Sequence, residues 1–379
     1  MKEVLDFSEF NPENGLQVLI DKSLDYLNWT YYPFECLSSS FESDKLVELN
    51  MSHSNIKQLW EDTKPLPNLR RLNLSSKILI KLPYIGDALY LESLDLEGCI
   101  QLEEIGLSIV LLRMLTFLNL KDCKSLIKLP QFGEDLILEL LVLKRCKQLR
   151  QIDPSIGLLK ELTYLNLKYC KNLLLYEQRD PEHLKKIDID ATPTHFQPTY
   201  SYSREYKKSV NGLMPSSPIF PCMGKLDLSF CNLVEIPDAI GIICCLERLD
   251  LSGDNLVTLP NLKKLSKLFC LKLQHCKQLK SLPELPSRID FSGVWYVGRD
   301  TGLYMFNCPE LVDREGCTNI GFSWMIQISQ VLQVPVNCIG SVTPESEIPR
   351  WFNNQHEGNC VSLDASTVMH DDSWIGVAF

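Results

Sequence analysis

The chain has 379 residues, 45% of them hydrophobic and 23% charged, the composition of a folded protein rather than of a disordered or membrane-spanning chain. Its formal net charge of -10 argues against nonspecific binding to nucleic acid or to an anionic membrane surface. Fifteen cysteines form an odd set without a CxxC pair, which favours reduced thiols over a disulfide framework.

The opening stretch, MKEVLDFSEFNPENG, lacks the apolar segment of a signal peptide, and no run approaches about 18 consecutive apolar residues. A reducing setting in the cytoplasm or nucleus is expected, with residues 1–23 as an N-terminal cap or linker. From there the pattern L-x-x-L-x-L starts at Leu24, Leu46, Leu69, Leu91, Leu115, Leu138, Leu162, Met223, Leu246 and Leu268. Successive starts differ by 22, 23, 22, 24, 23, 24, 61, 23 and 22 residues, the period of leucine-rich repeats with one large insertion. Alternation in LESLDLEGC sends Leu94 and Leu96 to one face and Ser93, Asp95 and Glu97 to the other. No unit can bury its leucines alone, so stacked units must share one apolar column. The expected fold class is an α/β repeat over residues 24–288: a leucine-rich-repeat horseshoe solenoid with a parallel sheet on its concave face.

Cys99, Cys123, Cys146, Cys170, Cys231 and Cys276 each fall eight residues after the first leucine of their units, where the chain leaves the strand. A small side chain that tolerates burial and donates to a turn carbonyl suits that bend. Ser54 and Asp254 occupy the same slot as turn-bonding equivalents, whereas Lys77 breaks the rule and predicts a looser turn in its unit. One thiol per repeat does not converge four ligands on one point, so no metal site is expected there. Leu-Pro or Ile-Pro pairs at Pro83, Pro130, Pro237, Pro260 and Pro283 predict a convex side of extended chain and short turns.

Residues 174–221 interrupt the array with a stretch rich in proline, serine and tyrosine that reads as a surface excursion. After the repeats, residues 289–379 change composition: FSWMIQISQVLQ predicts helix, and short alternating stretches between Asn, Gly and Asp turns predict a β-rich module. The chain stops inside WIGVAF, which reads as a strand without its partner, so the module is expected to be incomplete. His356, Cys360, Asp364, His370, Asp371 and Asp372 could be drawn as a hydrolase or metal site, but no helix or strand-turn-helix context supports that drawing. The chain is expected not to be an enzyme.

Outward strand positions should carry any binding. An Asn/Asp row, with Asn28, Asn50, Asn73, Asp95, Asn119, Asn166, Asp227 and Asp250, fits local hydrogen bonding better than specificity. Beside it Lys121, Lys144 and Lys168 form a column, and residues 115–171 carry ten basic against six acidic side chains. Stacked like charges cost stability that an acidic partner could relieve, and aromatics with arginine are common interface anchors. The candidate partner-binding residues are Phe117, Lys121, Lys144, Arg145, Tyr164, Lys168, Tyr169, Phe230 and Arg248. A solvated lysine face with scattered aromatics is the plainer reading of the same residues.

The stretch LDYLNWTYYPFECLSSSFESDKLVELNMSHSNIKQLWE resembles the first repeats of plant TIR-NB-LRR disease-resistance proteins. FNCPELVD followed by TPESEIPRWFNNQHEGNCVSL is similar to the start of the jelly-roll, immunoglobulin-like domain that follows the repeats in that family. The resemblance implies a recognition region of an intracellular immune receptor, binding a pathogen effector or a guarded host protein, or contributing to autoinhibition against its own nucleotide-binding (NB-ARC) domain. No G-x-x-x-x-G-K-[ST] phosphate loop occurs, so ADP or ATP belongs only to the family's nucleotide-binding domain, and no cofactor is expected here. The rival reading is a leucine-rich-repeat binding scaffold or decoy without a switch domain.

Overall fold

A single unit shows how the array is built. Leu91, Leu94 and Leu96 are wholly buried, while Ser93, Asp95 and Glu97 are half-buried on the opposite side. The computed structural model describes residues 4–6, 24–61, 63–174, 220–290, 301–305, 307–311, 323–324, 327–328 and 339–342. Within them the strands are β1 (Val4–Asp6), β2 (Tyr26–Asn28), β3 (Glu48–Asn50), β4 (Arg71–Asn73), β5 (Ser93–Asp95), β6 (Phe117–Asn119) and β7 (Leu140–Val142). They continue as β8 (Tyr164–Asn166), β9 (Lys225–Asp227), β10 (Arg248–Asp250), β11 (Cys270–Lys272), β12 (Thr301–Tyr304) and β13 (Ile339–Val342). All pair in chain order into one thirteen-stranded parallel sheet. The register puts Leu94 opposite Leu118 and Leu118 opposite Leu141. Each leucine so buried contributes about 1.5–3 kcal/mol, and the stack of units is what keeps it dry. This is the leucine-rich-repeat solenoid that the period predicts.

Three devices end the strand at β6, and most units repeat at least one of them. Asn119 Oδ1 accepts a hydrogen bond from the Lys121 amide at 3.0 Å. Asn50, Asn73, Asp95, Asn166, Asp227 and Asp250 hold the amide two residues on in the same way. These members of the Asn/Asp row do the local bonding expected of it, whereas the Asn28 Oδ1 is buried without a partner among the described residues. Asp122 next adopts a left-handed conformation, φ 60°. Cys123 then turns inward and its Sγ donates to the Leu96 carbonyl of the preceding unit at 3.1 Å.

The thiol slot repeats this bond. Cys99, Cys146, Cys170, Cys231 and Cys276 donate to the carbonyls of Leu74, Leu120, Leu143, Leu167 and Leu251 at 3.0–3.3 Å. All are buried. Burial pushes the Cys276 thiol up to about 12. Cys123 and Cys146 are raised further, first by hydrogen bonds with neighbouring thiols and then by burial. Thiols held neutral this firmly are unreactive packing groups. The other occupants are less interchangeable than expected. Asp254 Oδ1 accepts from the amides of Cys231 and Leu233 at 2.9 and 3.0 Å, whereas the Ser54 hydroxyl has no partner among the described residues.

The looser turn expected at Lys77 is not found. Ser76, one residue earlier, takes the inward place: it is 1% exposed and donates to Ser54 O at 2.9 Å and Ile56 O at 2.8 Å. A shorter side chain fits a unit one residue shorter at that point, and an isolated bridge between Ser54 and Ser76 keeps the two turns together. The opposite side carries three short 3-10 turns among the described residues, Leu107–Leu111, Pro154–Leu158 and Asp238–Ile242. Asp153 caps the second through the Ser155 amide at 2.8 Å, and Pro237 precedes the third. Of the five Leu-Pro or Ile-Pro prolines only Pro237 borders such a turn; Pro83, Pro130, Pro260 and Pro283 lie in irregular chain, in keeping with the expectation of extended chain and short turns.

The parallel sheet runs past both ends of the span 24–288. β1 lies within residues 1–23 and pairs with β2. β12 adds to β11 with Leu303 opposite Leu271, and Cys308 fills the thiol slot, donating to Leu273 O at 3.0 Å. Asp300 stands where other units begin with leucine, which hides this unit from the repeat pattern. Residues 323–324 and 327–328 are helical, as the sequence predicts there, and bury Trp324 and Ile328. β8 pairs directly with β9 across the insertion, so the sheet is continuous there. Within 289–379, expected to form a separate β-rich module, the described strands β12 and β13 instead continue the parallel sheet of the repeats. The body of the 174–221 insertion, the remainder of 289–379 and the six His, Cys and Asp residues from His356 to Asp372 lie outside the described residues.

Candidate protein-interaction face

The outward rows of the sheet sort the candidate residues into two edges. Phe117 and Tyr164 occupy the first row, with Leu140 between them. In the same row Tyr164 is followed by Lys225 and Arg248. Tyr169 and Phe230 sit at the far edge, beyond the Asn/Asp row and the lysine column. The sector that looks single in the sequence is therefore a wall on either side of a polar floor.

The far edge is built from the left-handed turn residues. Arg145, Tyr169, Phe230, His275 and Asn307 have φ of 59–65°, a conformation uncommon outside glycine. It points their side chains along the edge rather than into the core. The Tyr169 and Phe230 rings stack at 4.9 Å, and His275 lies 6.3 Å beyond Phe230. Asn307 Nδ2 meets His275 Nδ1 at 2.9 Å. Between Phe230 and His275 the slot holds Gly253, φ 74°, where an added Cβ would lie 2.2 Å from the Phe230 ring. The missing side chain makes room for the ring.

Charge closes over this ladder from the lysine column. Arg145 lies 5.8 Å from the Tyr169 centroid and pairs with Asp122 at 3.3 Å. Lys168 lies 5.5 Å from the Tyr169 ring and 5.4 Å from that of Phe230. Cation–ring contacts at such half-exposed sites contribute about 0.5–1 kcal/mol each, enough to order the side chains. Lys121 departs from the expectation of a uniformly unmatched column, because Glu97 pairs with it at 2.5 Å. Burial alone would raise Glu97, but hydrogen bonds from Lys121 and Asn119 bring it below the usual carboxylate range. Lys144 makes no ion pair among the described residues. The unmatched positive charge is thus centred on Lys144 and Lys168.

The near edge opens into a cavity of about 650 Å³ over β8 to β11, lined by Tyr164, Lys225, Glu247, Arg248, Asp250 and Cys270 among others. The Arg248 guanidinium lies 5.0 Å from the Phe269 ring. Burial raises Asp227 and Glu247 above the usual carboxylate range, and a hydrogen bond from Asn166 only partly offsets the raising of Tyr164 by burial. No group of three His, Cys, Asp or Glu residues suited to a metal ion occurs among the described residues. Of the nine candidates, Arg145, Lys168, Tyr169 and Phe230 come together on one edge, and Tyr164 with Arg248 on the other. Phe117, in the near row but outside the cavity, and Lys121 and Lys144, in the lysine column, join neither group. Sequence reasoning missed His275 and Asn307; the glycines at 98 and 253, in the slot just before the cysteine or its substitute, were the signal that this position turns left-handed.

Similarity to known proteins follows the repeats. A family model described as Leucine Rich Repeat matches residues 45–64. Disease resistance protein RPP2A of Arabidopsis thaliana is 42% identical over 111 residues, 29% of this chain and 8% of that protein. Disease resistance protein RPP2B of the same plant is 48% identical over 84 residues, 22% of this chain and 7% of that protein. The matched stretches are therefore less than a tenth of those relatives. Among solved structures, the leucine-rich-repeat domain of the type III effector XopL covers 45% of this chain and 62% of its own at 27% identity, with a TM-score of 0.38. YopM from Yersinia enterocolitica covers 70% of this chain and 45% of its own at 21% identity, with a TM-score of 0.46. No helix among the described residues is long and apolar enough to cross a membrane. The chain carries a leucine-rich-repeat solenoid whose repeats are homologous, at 36–48% identity over partial stretches, to those of Arabidopsis disease resistance proteins.

Proposed function

We propose that the chain is the recognition region of a plant intracellular immune receptor, and that the strand face binds a protein partner. The partner is a pathogen effector, a guarded host protein or the receptor's own nucleotide-binding domain, and the compartment is the cytoplasm or nucleus. The observation that supports this most is the ordered edge of Arg145, Tyr169 and Phe230 under Lys168. Five residues along that edge hold a left-handed turn that costs a non-glycine residue about 1–2 kcal/mol; Tyr169 and Phe230 present their rings half-exposed, and Arg145, His275 and Asn307 are exposed. Similarity to named disease resistance proteins supports the immune setting. The reading is of a binding region rather than an enzyme, with no cofactor of its own.

The reading is tested by co-purifying the chain with secreted pathogen proteins and with nucleotide-binding domains of the Arabidopsis relatives. Binding that is lost in a Lys144→Glu, Lys168→Glu double variant is the expected result. Binding to none of these supports the scaffold or decoy reading instead.

A further inference from the structure

We infer that Cys222 and Cys245 form a dithiol site at the rim of the near-edge cavity that takes up a low-molecular-weight disulfide of the glutathione type and closes to an internal disulfide. The site has no counterpart in the buried thiol column and is independent of the partner-binding reading.

The register places these two thiols side by side. Cys222 precedes Met223 and Cys245 precedes Leu246, the first residues of consecutive units. Each is the third residue of an equivalent turn, closed by the Met223 amide on Phe220 O at 3.2 Å and by the Leu246 amide on Ile243 O at 3.0 Å. Just beyond, the Glu247 and Arg248 amides both bond Gly224 O, at 2.8 and 2.9 Å, and Lys225 stands opposite Arg248. Parallel neighbours in such a sheet lie about 4.8 Å apart, inside the Cα separation of about 4.4–6.8 Å that a disulfide spans. Both cysteines line the same cavity. Cys244 is one residue out of register with Cys222, and Pro221 is its counterpart in the neighbouring unit.

Accessibility separates this pair from the ladder. Cys222 is exposed and Cys245 half-exposed, whereas the ladder thiols are buried with their protons on carbonyls. Burial, then Cys244 by its charge and a hydrogen bond, raise Cys245; Lys267 opposes them and Cys222 adds a smaller push. Cys222, the more exposed of the two, is the attacking thiol. Its sulfur, having released its proton to solvent, attacks one sulfur of the small disulfide, and the other sulfur leaves as a thiolate that is reprotonated. Cys245 then loses its proton and attacks Cys222 Sγ, expelling the second small thiol. In sum one small disulfide is reduced to two thiols and two protein thiols are oxidised to one disulfide.

The test exposes the full 379-residue chain to glutathione disulfide at neutral pH and maps its peptides by mass spectrometry without reduction. The expected product is a crosslink between the Cys222 and Cys245 peptides with the mass of two hydrogens lost, and the ladder cysteines stay reduced. Cys245→Ser should stop at one glutathionyl group on Cys222. Reversal by dithiothreitol, with an unchanged circular dichroism spectrum, shows that the fold persists. A stable mixed disulfide on Cys222 with Cys245 intact, a crosslink through Cys244, or no reaction before the ladder cysteines react would overturn the inference.

Discussion

At Asp254 a carboxylate stands in the slot that a thiol fills in seven other units among the described residues, accepting from amides where the thiols donate to carbonyls, and the substitution leaves a mark in pH. Burial pushes its carboxyl up to about 7, against the three backbone hydrogen bonds that hold the charged form, and Oδ2 has no partner among the described residues. The folded pKa lies above the unfolded value of about 3.9, so its contribution to stability is complete below about pH 4 and is lost as pH rises through about 7. Asp254→Asn should therefore gain stability relative to the parent between pH 4 and 8, by at most on the order of 4 kcal/mol. Urea unfolding of both proteins across that range checks this, and parallel pH curves would contradict it. Cys146 is the contrasting residue, neutral at any working pH. Cys146→Ala removes its bond to Leu120 O and leaves a small void, at an expected cost of about 1–2 kcal/mol in the same measurement.

Turns, rather than strands, distinguish one unit from another. Strand residues repeat an invariant recipe, and their spacing made the ten units and the parallel sheet legible from leucines alone. Turn geometry was less legible, because a left-handed residue is signalled only by glycine, and Tyr169, Phe230 and His275 accept the strained conformation without a sequence trace. The slip from Lys77 to Ser76 was hidden for a related reason: hydrogen-bonding capacity, not position in the count, selects the inward residue. Two glycines test the account of the ladder. Gly98→Ala, φ 77° with open space around it, should cost about 1 kcal/mol from backbone strain alone. Gly253→Ala should cost more and displace the Phe230 ring, seen as a larger fall in melting temperature and a changed near-ultraviolet circular dichroism spectrum. Equal losses at both positions would show that the ring does not depend on the missing side chain.

Over the whole molecule, one sheet from β1 to β13 carries two unlike edges, an aromatic and cationic ladder and an open cavity. Their separation could not be read from Phe117, Tyr164 and Tyr169 as neighbours in sequence, because rows are distinguished only by offset within the unit. Charge follows the same logic: a net charge of -10 coexists with a positive strip, of which Glu97 neutralises only the Lys121 end. The central claim is that this strip and its ladder select the protein partner. The measurement that tests it is quantitative affinity purification from infected plant tissue, comparing the parent chain with the Lys144→Glu, Lys168→Glu variant. A variant with Lys160→Glu and Lys264→Glu, away from the strip, controls for net charge. Loss of at least one partner from the first variant alone is the predicted result. Identical partner sets for all three chains would contradict it.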